Sequence, residues 1–206
     1  MTPQTMTRPE QDQTDEKTIQ QLREAYRDAP EMAKVALEHT LPSLKSLATE
    51  AGSQTESAGR VGIRLGSVSE FTMIVPFAPG GAQRLRTLLG VLKGNFSAGK
   101  KVGTLHDMRF VFLDNDTKLL FATAYDGQWD PYIDDFATKI PDEMDVVFSA
   151  CEGWPGIRSP EIKDWIIKYA VESEGWFVAH PDLTVAEAAR VKRVGKAVEE
   201  FLDKVG

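Results

Sequence analysis

The chain has 206 residues, with 24 Lys and Arg against 31 Asp and Glu, and a formal net charge of −7. Phosphate binding needs a basic face, and no dense Lys/Arg cluster interleaved with aromatic residues occurs, so a general nucleic-acid binder is excluded. Cys151 is the only cysteine, which excludes an intrachain disulfide and a cysteine-based zinc cluster. Without an apolar run of membrane-spanning length or a secretory signal pattern, we expect a cytoplasmic protein with no membrane partner.

The first fifty residues show the spacing of amphipathic helices. Apolar residues recur every three or four positions over 15–28, which predicts a short helix that ends at Pro30. A second helical pattern covers 31–48. Pro42 lies inside it, and proline is expected to kink or divide a helix because it lacks a backbone N–H.

Small and polar residues fill 51–59, which predicts a linker. We therefore expect a frayed start and helical extension over 1–58, followed by one folded domain over 59–206. Apolar and polar residues alternate over 67–77, which predicts the first strand of that domain. A stripe of leucines then predicts a helix over 85–94.

The clearest pattern in the chain is a hairpin. Residues 105–113 and 118–125 are rich in Phe, Val and Leu, and an Asp/Asn-rich tetrapeptide over 114–117 joins them. After the second strand, Asp130 precedes a proline, which indicates a helix start with the carboxylate as the cap. This helix is expected to run over 131–148 with an interruption near its single internal proline.

Three further elements follow in the C-terminal quarter. A short helix is predicted over 159–166 and a last strand over 175–180. Thr184 and Glu187 have the spacing of a capping box, and an apolar face continues behind them to residue 202. A C-terminal helix is therefore expected.

In order, the domain reads strand, helix, strand, strand, helix, helical insert, strand, which is the βαββαβ order of the ferredoxin-like α+β fold. The strands carry apolar residues on both faces, whereas one helix layer covers only one face. The other face needs a partner, and no internal repeat supplies one. We therefore expect a homodimer that forms a dimeric α+β barrel, with an N-terminal helical extension and a C-terminal helix.

The segment 105–136 resembles the dimeric α+β-barrel proteins, in particular members found alone or beside haem-peroxidase or catalase-like domains, and distantly the dye-decolourising peroxidases. The likeness rests on the strand with His106, the turn 125–127 and the run 132–136, and extends loosely over 180–202. It implies a barrel whose interior holds haem or an aromatic or polyketide-like molecule.

Two functions from different classes follow from the resemblance. The first is a small-molecule-binding barrel that takes a hydrophobic ligand, with peroxidase-like or monooxygenase-like oxidoreductase activity and haem as a possible cofactor. The second is a non-enzymatic dimerisation or accessory module for a peroxidase-like or biosynthetic partner, which the helical extension would contact. A cavity that holds a ligand distinguishes the first from the second.

The chain has three histidines, so a histidine base or haem ligand must be one of them. His106 shares a predicted strand face with Met108 and Phe110, where it is either a site residue or a hydrogen-bonded core group. His180 stands at a predicted strand end, either at a barrel mouth or packed in a turn. His39 lies in the helical extension and is expected to face solvent.

Asp107 and Arg109 are two residues apart, so they share one strand face, opposite Phe110. As site residues, Arg109 would neutralise a carboxylate or propionate, while Asp107 or His106 would move protons. The alternative is a salt bridge that ties strands or subunits together. Tyr125 is a further candidate ligand contact, and no metal site is predicted.

Overall fold

The computed structural model describes residues 8–50 and 55–205, and side chains over 16–44 and 55–205. The chain separates into two compact units, residues 1–54 and 55–206. The described residues form seven α-helices and six β-strands, so the α+β class is confirmed.

The first unit is a pair of helices, α1 (Arg8–Ala25) and α2 (Glu31–Glu50). Arg23 bridges them, with Nε and Nη2 each 2.8 Å from a carboxylate oxygen of Glu38. α2 passes through Pro42 without being divided. The carbonyl that loses its helical donor to this proline belongs to Glu38, an exposed residue, so solvent can satisfy it.

The second unit contains a six-stranded antiparallel sheet in the order β1-β2-β3-β5-β4, with β6 paired to β3. Its strands are β1 (Thr55–Ser57), β2 (Ile63–Leu65), β3 (Val68–Pro76), β4 (Leu105–Leu113), β5 (Lys118–Asp126) and β6 (Ala170–Val171). Its helices are α3 (Gly81–Leu92), α4 (Trp129–Lys139), α5 (Pro141–Phe148), α6 (Ile162–Tyr169) and α7 (Val185–Val205), with a 3-10 helix η1 (Ser97–Lys101).

The core lies on one face of this sheet, between β3, β5 and the helices. The strands contribute apolar side chains at alternate positions, as the period-two pattern predicts. The helices α4 and α6 each contribute the apolar side chains of one helix face. The best-buried large side chains are Phe71, Met73, Leu85, Leu119, Tyr125, Trp129 and Ile157. The predicted first strand, the hairpin and the helix after the first strand are confirmed with bounds that differ by at most four residues. The helix predicted over 131–148 is confirmed as two helices, α4 and α5, divided before the internal proline as expected.

The segment predicted as a linker is partly structured. Residues 51–54 lie outside the described residues, but β1 follows directly and pairs with β2. Ala58 is fully buried, and its carbonyl accepts a hydrogen bond from the backbone N–H of Trp129 at 2.8 Å. Small, polar residues suit an edge hairpin as well as a linker, so composition alone did not separate the two.

The role predicted for Asp130 is wrong. α4 begins one residue earlier, at Trp129, and no side chain caps it. The Asp130 carboxylate instead lies 2.6 Å from Arg60 Nη2 and 3.0 Å from Lys163 Nζ. Both cations hold the pKa of this carboxyl below its ordinary value. Asp130 therefore links α4 to the β1–β2 connection and to α6.

The strand predicted over 175–180 is also wrong, because that segment has no strand pairing and Phe177 is 84% exposed. On the edge away from β5, β3 pairs with β2 at Val68 and Ser69 and with β6 at Thr72 and Met73. Residues 175–180 therefore cannot pair with this edge of β3.

The predicted capping box at the start of α7 is confirmed. The Thr184 backbone N–H donates to Glu187 Oε2 at 3.0 Å, and the Glu187 N–H donates to Thr184 Oγ1 at 3.3 Å. The Thr184 hydroxyl donates to the same carboxylate at 2.6 Å. These bonds hold the pKa of Glu187 below its ordinary value.

Thr184→Ala is expected to weaken the first turn of α7 by about 1 kcal/mol, because two of its bonds are lost. Amide-exchange protection at 185–188 measures this, and Thr184→Ser is the control that keeps the hydroxyl. Since the Glu187 pKa is lower in the folded chain, the stabilisation is present above the ordinary Glu pKa and is lost as the pH falls through the folded value. Protection that does not change with the substitution or with acid would contradict both expectations.

Candidate functional site

An apolar cavity of about 140 Å³ lies on the helix side of the sheet, between β4, β5, η1 and the helices α4 and α5. Aromatic and methionine side chains dominate its wall: Phe96, Met108, Phe110, Phe121, Phe136, Met144 and Phe148. An apolar cavity of about 150 Å³ accommodates a benzene molecule in proteins. This cavity therefore has the size of one aromatic ring.

A more open cleft of about 370 Å³ adjoins the cavity. The two share three wall residues, Phe96, Gly99 and Met108. The polar side chains of the cleft are Lys100, His106 and Asp107. The arrangement places an apolar compartment next to three ionisable side chains.

His106 reaches this cleft through an irregularity in β4. Leu105 pairs with Tyr125 and Asp107 pairs with Ala124, so His106 is the extra residue of a β-bulge. The prediction that His106 shares a face with Met108 and Phe110 is therefore wrong, because a bulge shifts the alternation of the strand by one residue.

Asp126 holds the imidazole in place. Its Oδ1 lies 2.6 Å from His106 Nε2, and its Oδ2 accepts a hydrogen bond from the Val185 backbone N–H at 2.9 Å. The side chains are 26% exposed for His106 and 13% for Asp126. A carboxylate on one ring nitrogen fixes the orientation of the ring.

Asp107 and Arg109 lie on the opposite face of the sheet from the core. In register, Asp107 opposes Ala124 and Arg109 opposes Ala122. Arg109 Nε is 3.5 Å from Asp107 Oδ1, and both side chains are more than half exposed. An exposed pair of this kind contributes little to stability. Asp107 lines the cleft, whereas Arg109 lines neither the cleft nor the apolar cavity.

Tyr125 is a core residue. It is fully buried and its ring stacks on Tyr132 at 3.8 Å between centroids, with 8° between the planes. Burial, reinforced by the nearby Glu70 carboxylate, raises the pKa of its phenol. The Tyr132 hydroxyl lies 2.7 Å from Thr123 Oγ1. Tyr125 therefore packs in the core against Tyr132 of α4 and does not line the cleft.

The other two histidines lie elsewhere. His180 is exposed in the irregular segment before α7, and its carbonyl accepts a hydrogen bond from the Leu183 N–H at 3.2 Å. It lines neither the cavity nor the cleft. His39 is exposed on α2, as expected.

A buried carboxylate lies on the face of the sheet opposite the core, which we call the second face. Glu70 is only 4% exposed, and its Oε2 accepts hydrogen bonds from Ser173 Oγ at 2.8 Å and Thr72 Oγ1 at 3.2 Å. Oε1 is buried without a hydrogen-bond partner among the described residues. This group is separate from the cavity and the cleft.

Two parts of the site were not found from sequence. The sequence pattern places Asp126 in a turn. Once the register of the hairpin is known, an acidic residue at the end of one strand and a histidine near the end of the other indicate that the two side chains can pair. The cavity depends on Phe96 and Phe148, which come from segments far apart in the chain. No local pattern brings them together.

Neither a family model, nor a curated protein, nor a solved structure matches this chain. Over the described ranges, none of the helices combines the length and apolar character needed to cross a membrane. Within the same ranges, no group of three His, Cys, Asp or Glu residues is placed to hold a metal ion.

Proposed function

We propose that the second unit binds a small apolar or aromatic molecule in the cavity between β4, η1 and α5. The observation that carries the proposal is a cavity of about 140 Å³ next to a histidine held by a carboxylate; its wall is mainly apolar, with Asn95, Ser97 and Glu143 as the polar exceptions. The ring of the ligand would occupy the cavity, and a polar substituent would reach the cleft past Met108.

His106 is the proton-transfer group of the proposal. Asp126 orients its ring, and the cleft gives it access to a ligand substituent. Asp107 and Lys100 are charged neighbours in the same cleft. Oxidoreductase activity on the ligand is part of the sequence-based hypothesis and stays a prediction.

Haem does not fit the residues of a single chain. His106 Nε2 is 2.6 Å from Asp126 Oδ1, Tyr125 is packed in the core, and Arg109 is on the other sheet face. The apolar cavity of about 140 Å³ lies below the roughly 300–1,000 Å³ of pockets for larger ligands. Haem binding stays a prediction, which the Soret absorption of protein grown with haem precursor tests.

The fold proposal is the ferredoxin-like βαββαβ arrangement, paired with a second copy as an α+β barrel. The strand neighbours β6-β3-β5-β4 and the helices on one face support it. The second face carries small or apolar residues at its centre, Ala122, Ala124 and Leu120, and Val111 is 44% exposed beside them. Such a face is suited to packing against another sheet.

Ligand binding is tested by titrating fluorobenzene and following its ¹⁹F signal. We expect saturable binding with a Kd of about 0.1–1 mM, typical of a ligand with so few atoms. Ala98→Leu is expected to abolish binding, because Ala98 lines the cavity and the added carbons fill it.

Ala189→Leu makes the same change at an exposed position of α7 and is expected to leave binding intact. His106→Ala is also expected to keep ring binding, since His106 does not line the apolar cavity. A titration that does not saturate, or binding that Ala98→Leu leaves unchanged, would overturn the proposal.

The accessory-module hypothesis also has an observation in its favour, the exposed apolar face of α7. A chain that binds no ring in its cavity, yet associates through α7, would favour this second function.

A further inference from the structure

One charged side chain of the cleft beside the apolar cavity has no partner. Asp107 lies 3.5 Å from Arg109 Nε, and Asp126 lies 2.6 Å from the ring of His106. Lys100 also lines the cleft, and its ammonium makes neither a hydrogen bond nor an ion pair in the part of the chain that the structure describes. Lys100 is therefore the group whose charge is available to a bound molecule.

Lys100 stands directly beside the junction of the cleft and the cavity. It belongs to η1, and its neighbour Gly99 lines both spaces, so the Cα atoms of the two residues are about 3.8 Å apart. A lysine side chain is a flexible four-carbon stem with its charge at the tip. Lys100 can therefore reach a group that leaves the cavity and enters the cleft.

The carboxylate that borders the cleft lies on the other side of the sheet. Asp107 and its partner Arg109 belong to the second face, whereas the cavity and η1 lie on the helix side. A substituent that leaves the cavity on the helix side therefore meets the Lys100 ammonium before it meets the Asp107 carboxylate. This order favours a negatively charged substituent.

The connection between the cavity and the cleft is narrow. Gly99 is buried there, and a Cβ on it would lie 3.1 Å from Leu105 Cδ2 and 3.7 Å from Met108 Cε. Met108 is the most adaptable of these side chains, because its unbranched thioether has three rotatable bonds. The connection therefore suits an unbranched chain that passes beside Met108.

We propose that the ligand of the cavity is an aromatic acid, with its ring in the cavity and its carboxylate on Lys100. This inference rests on the proposed function, because it specifies the ligand of the same cavity. A short unbranched chain joins the ring to the carboxylate through the narrow connection. Arg109, the residue that the sequence suggested for a carboxylate, lies on the second face and lines neither space.

Probes that differ only in charge test the proposal on the full chain. Fluorophenylpropanoate ends in a carboxylate, fluorophenylpropanamide in a neutral amide and fluorophenylpropylamine in an ammonium. We expect ¹⁹F titrations to give the acid a Kd about fivefold below that of the amide, the upper range for an exposed ion pair. The amine is expected to bind no more tightly than the amide. An amide that equals the acid, or an amine that binds more tightly than the acid, would overturn the inference.

Lys100→Gln tests the residue itself, because it removes the charge and keeps most of the side chain. The acid and the amide are expected to bind this variant equally. Lys93→Gln is the matched control, since Lys93 is exposed and lines neither the cavity nor the cleft. It is expected to keep the fivefold preference for the acid. If both variants lose the preference, or both keep it, the assignment to Lys100 is wrong.

Fluorobenzene separates this inference from the proposed function. It has no polar substituent, so Lys100→Gln is expected to leave its Kd unchanged. If fluorobenzene binds the native chain while the acid gains nothing over the amide, the assignment of an aromatic acid fails and the ring site remains. If neither fluorobenzene nor the acid binds, the proposed function and this inference fail together.

Discussion

Gly81→Ala is expected to lower the free energy of unfolding by about 3 kcal/mol or more, although the position starts a helix that favours alanine. A Cβ at Gly81 would lie 2.0 Å from the Ala150 carbonyl oxygen and 2.9 Å from the carbonyl carbon. Both are backbone atoms. The same carbonyl accepts a hydrogen bond from the Ala78 N–H at 2.8 Å, so the segment after α5 cannot shift without losing it.

Gly90 in the same helix is the matched control. A Cβ there meets nothing within 4 Å, so Gly90→Ala is expected to stabilise the chain by about 0.5–1 kcal/mol. Urea denaturation of both variants measures the difference. Equal stability of the two variants would show that α3 does not pack against Ala150 as described.

Phe148→Ala is expected to destabilise the chain by about 3–5 kcal/mol. Phe148 is 2% exposed and forms a wall of the apolar cavity. Its ring centroid lies 5.2 Å from those of Phe121 and Trp154. Phe177→Ala removes the same group from a side chain that is 84% exposed, and is expected to change stability by less than about 0.5 kcal/mol.

The same variant also tests the proposed ligand site. Removing Phe148 enlarges the cavity, so a ligand with two fused rings is expected to raise the melting temperature of Phe148→Ala but not that of the native chain. Thermal unfolding with and without naphthalene measures this. If both chains respond alike, the enlarged space is not part of the binding site.

Local patterns sufficed where neighbouring residues alone determine the structure. The hairpin of β4 and β5 follows from alternation and from the turn at 114–117, where Asp114, Asn115 and Asp116 all have positive φ. Asp and Asn tolerate that conformation better than other non-glycine residues. The helix start at Thr184 follows in the same way from its hydrogen bonds with Glu187.

Features that depend on long-range pairing were not predictable. The bulge at His106 appears only in the register between β4 and β5. The absence of a strand over 175–180 depends on β6 already occupying β3. Asp130 has the sequence of a helix cap, yet two distant cations, Arg60 and Lys163, bind its carboxylate. In each case a partner remote in sequence decided the outcome.

The open edge of the sheet gives β4 a further property. Within the described ranges β4 pairs with β5 alone, so its outer backbone groups are available to any extended chain that approaches. The bulge at His106 and the exposed charges of Asp107 and Arg109 lie along this strand. Bulges and charged side chains are what proteins use to prevent edge-to-edge polymerisation. These residues therefore disfavour the pairing of β4 with the edge strand of another chain.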